Sequence, residues 1–170
     1  MGEHNSDPMI YLDNNATTRT TACVVEAMLP YFTDCYFNAS ASTAAYNGAD
    51  RPRVRAAAAM CKLLNAEEPD CFLFTSGATE SNNWVFFSLL KGQRKAGRVL
   101  ISAIEHPSVA EPAEELRLSG FDVVRIPVDE NGVLSTEKLV EQLTPSTLLV
   151  SVMAANNETG ALQPLKEVGH

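Results

Sequence analysis

A group of small polar residues that could bind an anionic ligand lies at Ser76-Gly77-Ala78-Thr79, directly after the apolar run at residues 71–75. A helical pattern begins at this point, and small residues let the backbone N–H groups of a helix start approach a phosphate. The hydroxyl of Thr79 would add a further donor. An ordinary turn with a serine or threonine cap would contain the same residues, and the spacing differs from that of a P-loop. The segment therefore indicates either a phosphate site or a capped turn.

A histidine with possible acid–base chemistry, His106, follows the apolar run at residues 98–102 and has Glu105 beside it. An imidazole near neutral pH is suited to proton transfer, and its ring is suited to stacking on a planar ligand. The alternative is a histidine whose hydrogen bonds serve only the fold. His106 is therefore a candidate catalytic residue that needs its spatial neighbours to be identified.

Two adjacent amides, Asn156 and Asn157, follow a third apolar run at residues 148–153. Each amide can donate to and accept from a ring substituent or a carboxylate. Asn-Asn is also common turn chemistry, so a purely structural role stays open.

These polar segments require a fold that brings them together. Apolar runs of strand length alternate with helical patterns, which is typical of an α/β fold with a mainly parallel sheet and flanking helices. In such sheets ligands bind beyond the carboxyl ends of the strands, so the three segments are predicted to share one edge. The predicted strands are residues 71–75, 98–102, 122–126 and 148–153, and the predicted helices are residues 20–32, 51–64, 79–90, 109–118 and 136–143, with a further helix beginning at 165.

Composition narrows the class of protein. The chain has 170 residues, of which 45% are apolar, enough for one domain with a core. Its net charge of -8 disfavours nucleic acid and anionic membrane surfaces as partners. The four cysteines are 12, 26 and 10 residues apart, which fits neither a redox pair nor a zinc site. We therefore expect a cytoplasmic protein with reduced thiols, no metal and no membrane span.

Four segments together resemble the motif series of cysteine desulfurases and selenocysteine lyases. They are residues 11–18 (YLDNNATT), 75–82 (TSGATESN), 105–107 (EHP) and 156–160 (NNETG), in that order. The resemblance implies a class V aminotransferase-like homodimer whose large domain has the aspartate aminotransferase-like fold and binds pyridoxal phosphate. One difference lies at residues 38–43, where the family usually has a proline after the asparagine and a histidine nearby.

The resemblance also implies roles for individual residues. Ala78 and Thr79 would bind the cofactor phosphate. His106 would stack on the pyridine ring and assist proton transfers, which makes it the catalytic residue of the set. Asn157 would contact the side of the ring that carries the phenolic oxygen.

The family's reaction removes sulfur from L-cysteine, or selenium from selenocysteine, and leaves alanine. A sulfur-acceptor scaffold protein for iron–sulfur cluster or thio-cofactor synthesis is a possible partner. The family's Schiff-base lysine lies in a Ser-x-His-Lys type segment, and none of the lysines here, Lys62, Lys91, Lys95, Lys138 and Lys166, has that context. The lysine and the sulfur-accepting cysteine would lie beyond His170.

The resulting expectation is an amino-terminal fragment, with a segment at 1–20 and a partial cofactor-binding domain at 21–170. Alone, this chain is expected to be inactive. A non-catalytic fragment or split subunit that needs a partner chain is the alternative. A nucleotide-binding module is disfavoured because no G-x-G-x-x-G segment follows a strand.

Overall fold

The computed structural model describes residues 10–43, 46, 48, 51–67, 72–91 and 97–169. The chain divides into two compact units, Met1–Leu73 and Phe74–His170. The boundary predicted at residue 20 stays a prediction. Among the described residues, no helix is both long and apolar enough to cross a membrane.

Among its described residues, the first unit contains the helices α1 (Ala22–Met28), α2 (Pro30–Thr33) and α3 (Arg51–Leu64). The single helix predicted at residues 20–32 is wrong, because it is divided at Pro30. Proline has no backbone N–H to continue the ladder, but its fixed φ suits the first position of a new helix. Thr21 occupies the N-cap position of α1, and its side chain makes no capping hydrogen bond. The bounds predicted for α3 are confirmed.

The second unit contains a three-stranded sheet and its helices. In chain order the elements are α4 (Ala78–Lys91), β1 (Arg98–Ser102), α5 (Pro107–Leu118), β2 (Asp122–Ile126), α6 (Thr136–Gln142), β3 (Thr147–Ser151) and α7 (Leu165–Val168). The strand order is β2-β1-β3, and both pairs are parallel. The helices α5 and α6 provide the crossovers that parallel strands require. The predicted α/β class with a parallel sheet is confirmed.

The strand predicted at residues 71–75 is wrong where the structure describes it. Residues 72–75 have no regular secondary structure, and Cys71 lies outside the described residues. An apolar, aromatic run has strand propensity, but a strand also needs a neighbour with unpaired backbone groups. Residues 72–75 pair with none of the three strands in the described sheet, β2-β1-β3. The other predicted elements of this unit differ from the observed bounds by no more than two residues.

The core lies on both faces of the sheet. Val99 and Ile101 of β1 point to one face, and Leu100 points to the other, as the twofold period of a strand requires. The first face packs against α4 and α5, and its cluster is Phe86, Val99, Ile101, Val109, Ala113, Leu116 and Phe121. The second face packs Leu100 with Ile126, Leu134 and Leu139, the last of them from α6. This layering holds α4 and α5 side by side, with their first turns close to the ends of the strands.

Candidate functional site

The turn that precedes α4 is held by hydrogen bonds between its own residues. The backbone N–H and the hydroxyl of Ser76 both donate to Oε2 of Glu80, each over 2.7 Å. The hydroxyls of Thr75 and Ser81 are 2.7 Å apart. The two bonds from Ser76 lower the pKa of the Glu80 carboxyl. The Glu80 carboxylate therefore accepts two hydrogen bonds from the loop before α4. It lies in the first turn of α4, where the helix dipole favours an anion.

The first turn of α4 has the donors that an anion needs. The first amide groups of a helix have no carbonyl partner four residues earlier. A Cβ atom added at Gly77 would meet no other atom within 4 Å, so the space beside this turn is open. Ala78 and Thr79 are both exposed at the same point. Backbone donors beside open space are what a phosphate group requires.

His106 caps the N-terminus of α5. Its Nδ1 atom accepts from the backbone N–H of Ser108 over 3.1 Å. The hydroxyl of Ser108 lies 2.9 Å from the same Nδ1 atom, and Nδ2 of Asn82 donates to that hydroxyl over 2.9 Å. Asn82 belongs to α4, so these bonds join the two helix starts. The structural role considered for His106 is therefore present, as the cap of α5.

A pocket of about 600 Å³ lies between the starts of α4 and α5. Its walls include Thr79, Asn83 and Phe87 from α4 and His106, Pro107 and Ser108 from the start of α5. The structure thus brings two of the predicted site residues, Thr79 and His106, to one pocket. Ala78 begins α4 beside it, whereas Asn157 is not among the pocket's lining residues.

The side chain of Asn156 makes hydrogen bonds to the turn after β3 and to the loop after β1. Oδ1 of Asn156 accepts from the backbone N–H groups of Glu158 and Thr159 over 3.0 and 2.9 Å. Its Nδ2 atom donates to the carbonyl of Ile104 over 3.3 Å. Asn156 therefore builds the turn after β3 and joins it to the loop after β1. Asn157 is exposed on the same turn.

Asn82 and Ser108 were not predicted from the sequence as candidate site residues, although they meet beside the pocket. Asn82 stands within the 75–82 motif, and Ser108 follows the 105–107 motif, but they are 26 residues apart. Neither periodicity nor spacing indicates that they touch. Only the packing of α4 against α5 brings the amide to the hydroxyl.

The imidazole of His106 can be tested separately as a cap. We expect His106→Ala to lower the free energy of unfolding by about 1 kcal/mol, because the capping acceptor is lost. His106→Asn should stay within about 0.3 kcal/mol of the parent, since asparagine is among the best N-cap residues. Urea denaturation followed by the fluorescence of Trp84, the single tryptophan and part of α4, measures both values. Equal losses for the two variants would contradict the capping role.

Glu105 joins the loops after β1 and β3. Its Oε1 atom accepts from the backbone N–H of Met153 over 2.6 Å. Burial raises the pKa of the Glu105 carboxyl, and the bond from Met153 lowers it by a smaller amount. A raised pKa in the folded state means that the protonated form is the one the fold favours.

This raised pKa predicts a pH dependence of stability. The contribution of Glu105 is fully present below the pKa of the unfolded chain and is lost as pH rises through the higher folded pKa. We therefore expect the parent to lose stability relative to Glu105→Gln as pH rises above about 4, the ordinary pKa of glutamate, and through the raised folded pKa. Urea denaturation at several pH values measures the difference, with the exposed Glu130→Gln as the control. A difference between parent and Glu105→Gln that does not change with pH would contradict it.

The chain matches one protein family, and it is similar to relatives and solved structures. The aminotransferase class-V family model matches residues 10–170. Cysteine desulfurase NifS of Azotobacter vinelandii is 41% identical over 159 residues, which are 94% of this chain and 40% of that protein. A solved NifS-like protein superposes with a TM-score of 0.88 at 35% identity, over 94% of this chain and 44% of its own. SspA, solved in complex with cysteine, gives a TM-score of 0.87 at 32% identity, over 94% and 46%. The chain spans less than half the length of each of these proteins.

Proposed function

Because the chain belongs to the aminotransferase class-V family, whose members use pyridoxal phosphate, we propose that it forms part of the cofactor-binding domain of a cysteine desulfurase. One observation carries the proposal: Thr79, in the first turn of α4, and the ring of His106 line the same pocket. We infer that this domain comprises residues 21–170 and that residues 1–20 precede it as a separate segment.

The residues of this chain then have distinct tasks. The amide groups at the start of α4 and the hydroxyl of Thr79 bind the phosphate of the cofactor, with Ala78 beside them. His106 stacks on the ring and donates or accepts a proton at Nε2, because Nδ1 is engaged with Ser108. Asn157 contacts the oxygen substituent of the ring. When bound, pyridoxal phosphate supplies an electron sink that weakens the bonds at the α-carbon of the amino acid.

The substrate and partners follow from the relatives. NifS is a cysteine desulfurase, and SspA was solved with cysteine, so we propose L-cysteine as substrate, with selenocysteine as the alternative. We further propose a cytoplasmic homodimer that passes sulfur to an acceptor protein. No residue of this chain is assigned as the lysine that binds the cofactor or as the sulfur-accepting cysteine.

The proposal predicts an all-or-none result for activity. The 170-residue chain, incubated with pyridoxal phosphate and L-cysteine, is expected to release no alanine above a control without protein. The physical reason is that the chain lacks a lysine in the family's context and covers 40% of the length of NifS. Adding a chain that supplies the remaining length should restore alanine release. Alanine released by the chain alone would refute this part of the proposal.

A further inference from the structure

We propose that Asn82 is a positioning residue that holds the proton of the neutral His106 ring on Nε2, acting through the hydroxyl of Ser108. The bonding pattern itself needs no cofactor. Its consequence for catalysis rests on the function proposed above.

The backbone N–H of Ser108 favours one state of Nδ1. The N–H of Ser108 points at Nδ1 of His106 over 3.1 Å, and a backbone amide can only donate. This contact favours the form of the ring in which Nδ1 presents its lone pair. In a neutral imidazole one nitrogen carries the proton, so this form has its proton on Nε2.

The hydroxyl of Ser108 extends this order to α4. Its oxygen lies 2.9 Å from Nδ1, which has no proton to give, so the hydroxyl donates to the ring. The lone pairs of that oxygen then face Nδ2 of Asn82, which donates over 2.9 Å. Asn82 therefore donates to Ser108, and Ser108 donates to His106.

The surroundings protect this series from water. Ser108 is 8% exposed, and Asn82 is partly buried, so competing water has little access to the shared hydroxyl. Hydrogen bonds in such a place are worth more than at the surface and polarise one another. Asn82 and Ser108 belong to helices that pack against each other, and so the tautomer is linked to the packing of α4 on α5.

The expected benefit is a defined proton donor. His106 is exposed, and the hydrogen bonds of its ring to Ser108 are made through Nδ1. The series keeps Nδ1 engaged and leaves the Nε2–H group available to a ligand in the pocket. Asn82 thus acts on the ligand only through His106.

Nitrogen NMR of the chain without cofactor tests the proposal. The chain has three histidines, and ¹⁵N-histidine labelling with assignment by His106→Asn identifies the signals of His106. At about pH 8.5, where imidazoles are ordinarily neutral, we expect Nδ1 to be bare and Nε2 to carry the proton. Asn82→Asp replaces the donor with a group that only accepts. It should raise the ratio of the Nδ1-protonated form to the Nε2-protonated form about fivefold.

A double-mutant cycle separates an effect carried by the Ser108 hydroxyl from a direct effect of the new carboxylate charge on the His106 ring. In a Ser108→Ala background the link is cut while the carboxylate of Asn82→Asp remains, so the effect should fall below about 1.5-fold. An equal effect in both backgrounds would overturn the proposal, as would a parent chain with its proton on Nδ1. Ser108→Ala alone should change the ratio about twofold, which keeps the test decisive if Asn82→Asp does not fold.

The outcome is independent of the proposed function. No cofactor is added, so a failure to bind pyridoxal phosphate would leave the NMR result standing. A tautomer ratio that is unchanged by substitution of Asn82 and of Ser108 would overturn the inference. It would leave the cofactor proposal untouched.

Discussion

Replacing Phe86 with alanine is expected to lower the free energy of unfolding of the 74–170 unit by about 3–5 kcal/mol. Phe86 is 2% exposed and packs from α4 into the cluster that contains Val99 and Ile101 of β1. Removing the ring loses its transfer free energy and leaves a cavity beside a rigid parallel strand, which cannot easily collapse. Urea denaturation followed by the fluorescence of Trp84 measures the loss.

A matched control for this prediction is on the same helix. Val85 is 48% exposed, so Val85→Ala should change stability by no more than about 0.5 kcal/mol. Phe86→Ala should also weaken the site, because Phe86 anchors the helix that carries Thr79 and Asn82. Similar stabilities for Phe86→Ala and Val85→Ala would show that α4 does not depend on this core contact.

Thr79→Val is expected to weaken the binding of pyridoxine 5′-phosphate about tenfold. This probe has the ring and the phosphate but no aldehyde, so it does not react with surface lysines. Valine keeps the branched shape of threonine and removes the hydroxyl, and a hydrogen bond to a charged group contributes about 1.5–3 kcal/mol. Titration calorimetry on the 170-residue chain measures the affinity.

Two controls define what this loss would mean. Ser88→Ala removes a hydroxyl from the same helix that donates to the carbonyl of Val85, and it should leave the affinity unchanged. Pyridoxine without the phosphate should bind parent and Thr79→Val equally. If Thr79→Val weakened the binding of both ligands equally, or of neither ligand, Thr79 would not bind the phosphate.

The helices and strands of the second unit were predictable where a short stretch of sequence determines the secondary structure. Residues 98–102 are all apolar apart from Arg98 and Ser102, and a strand buried on both faces has this character. Ser135 precedes a helical pattern, and its hydroxyl does accept from the backbone N–H of Lys138. Such features depend on residues close in the chain.

Prediction was wrong at two places, for different reasons. Residues 72–75 have the propensity of a strand but pair with none of the three strands in the described sheet. In the first unit, the apolar pattern at residues 20–32 continues across Pro30, which has no backbone N–H to continue the helix and begins a new one.

The sequence by itself determined the α/β class, the order of most elements, and the identity of Ala78, Thr79, His106 and Asn157 as candidate site residues. Periodicity and motif order depend on short stretches of chain, which can be read one at a time. The tertiary structure alone decided which of these residues meet, because Thr79 and His106 come from different helices that only packing on the sheet brings to one pocket. It also decided that Asn82 and Ser108 meet beside this pocket. Their contact depends on the approach of α4 to α5, and that approach is a property of the packed core and of neither segment alone.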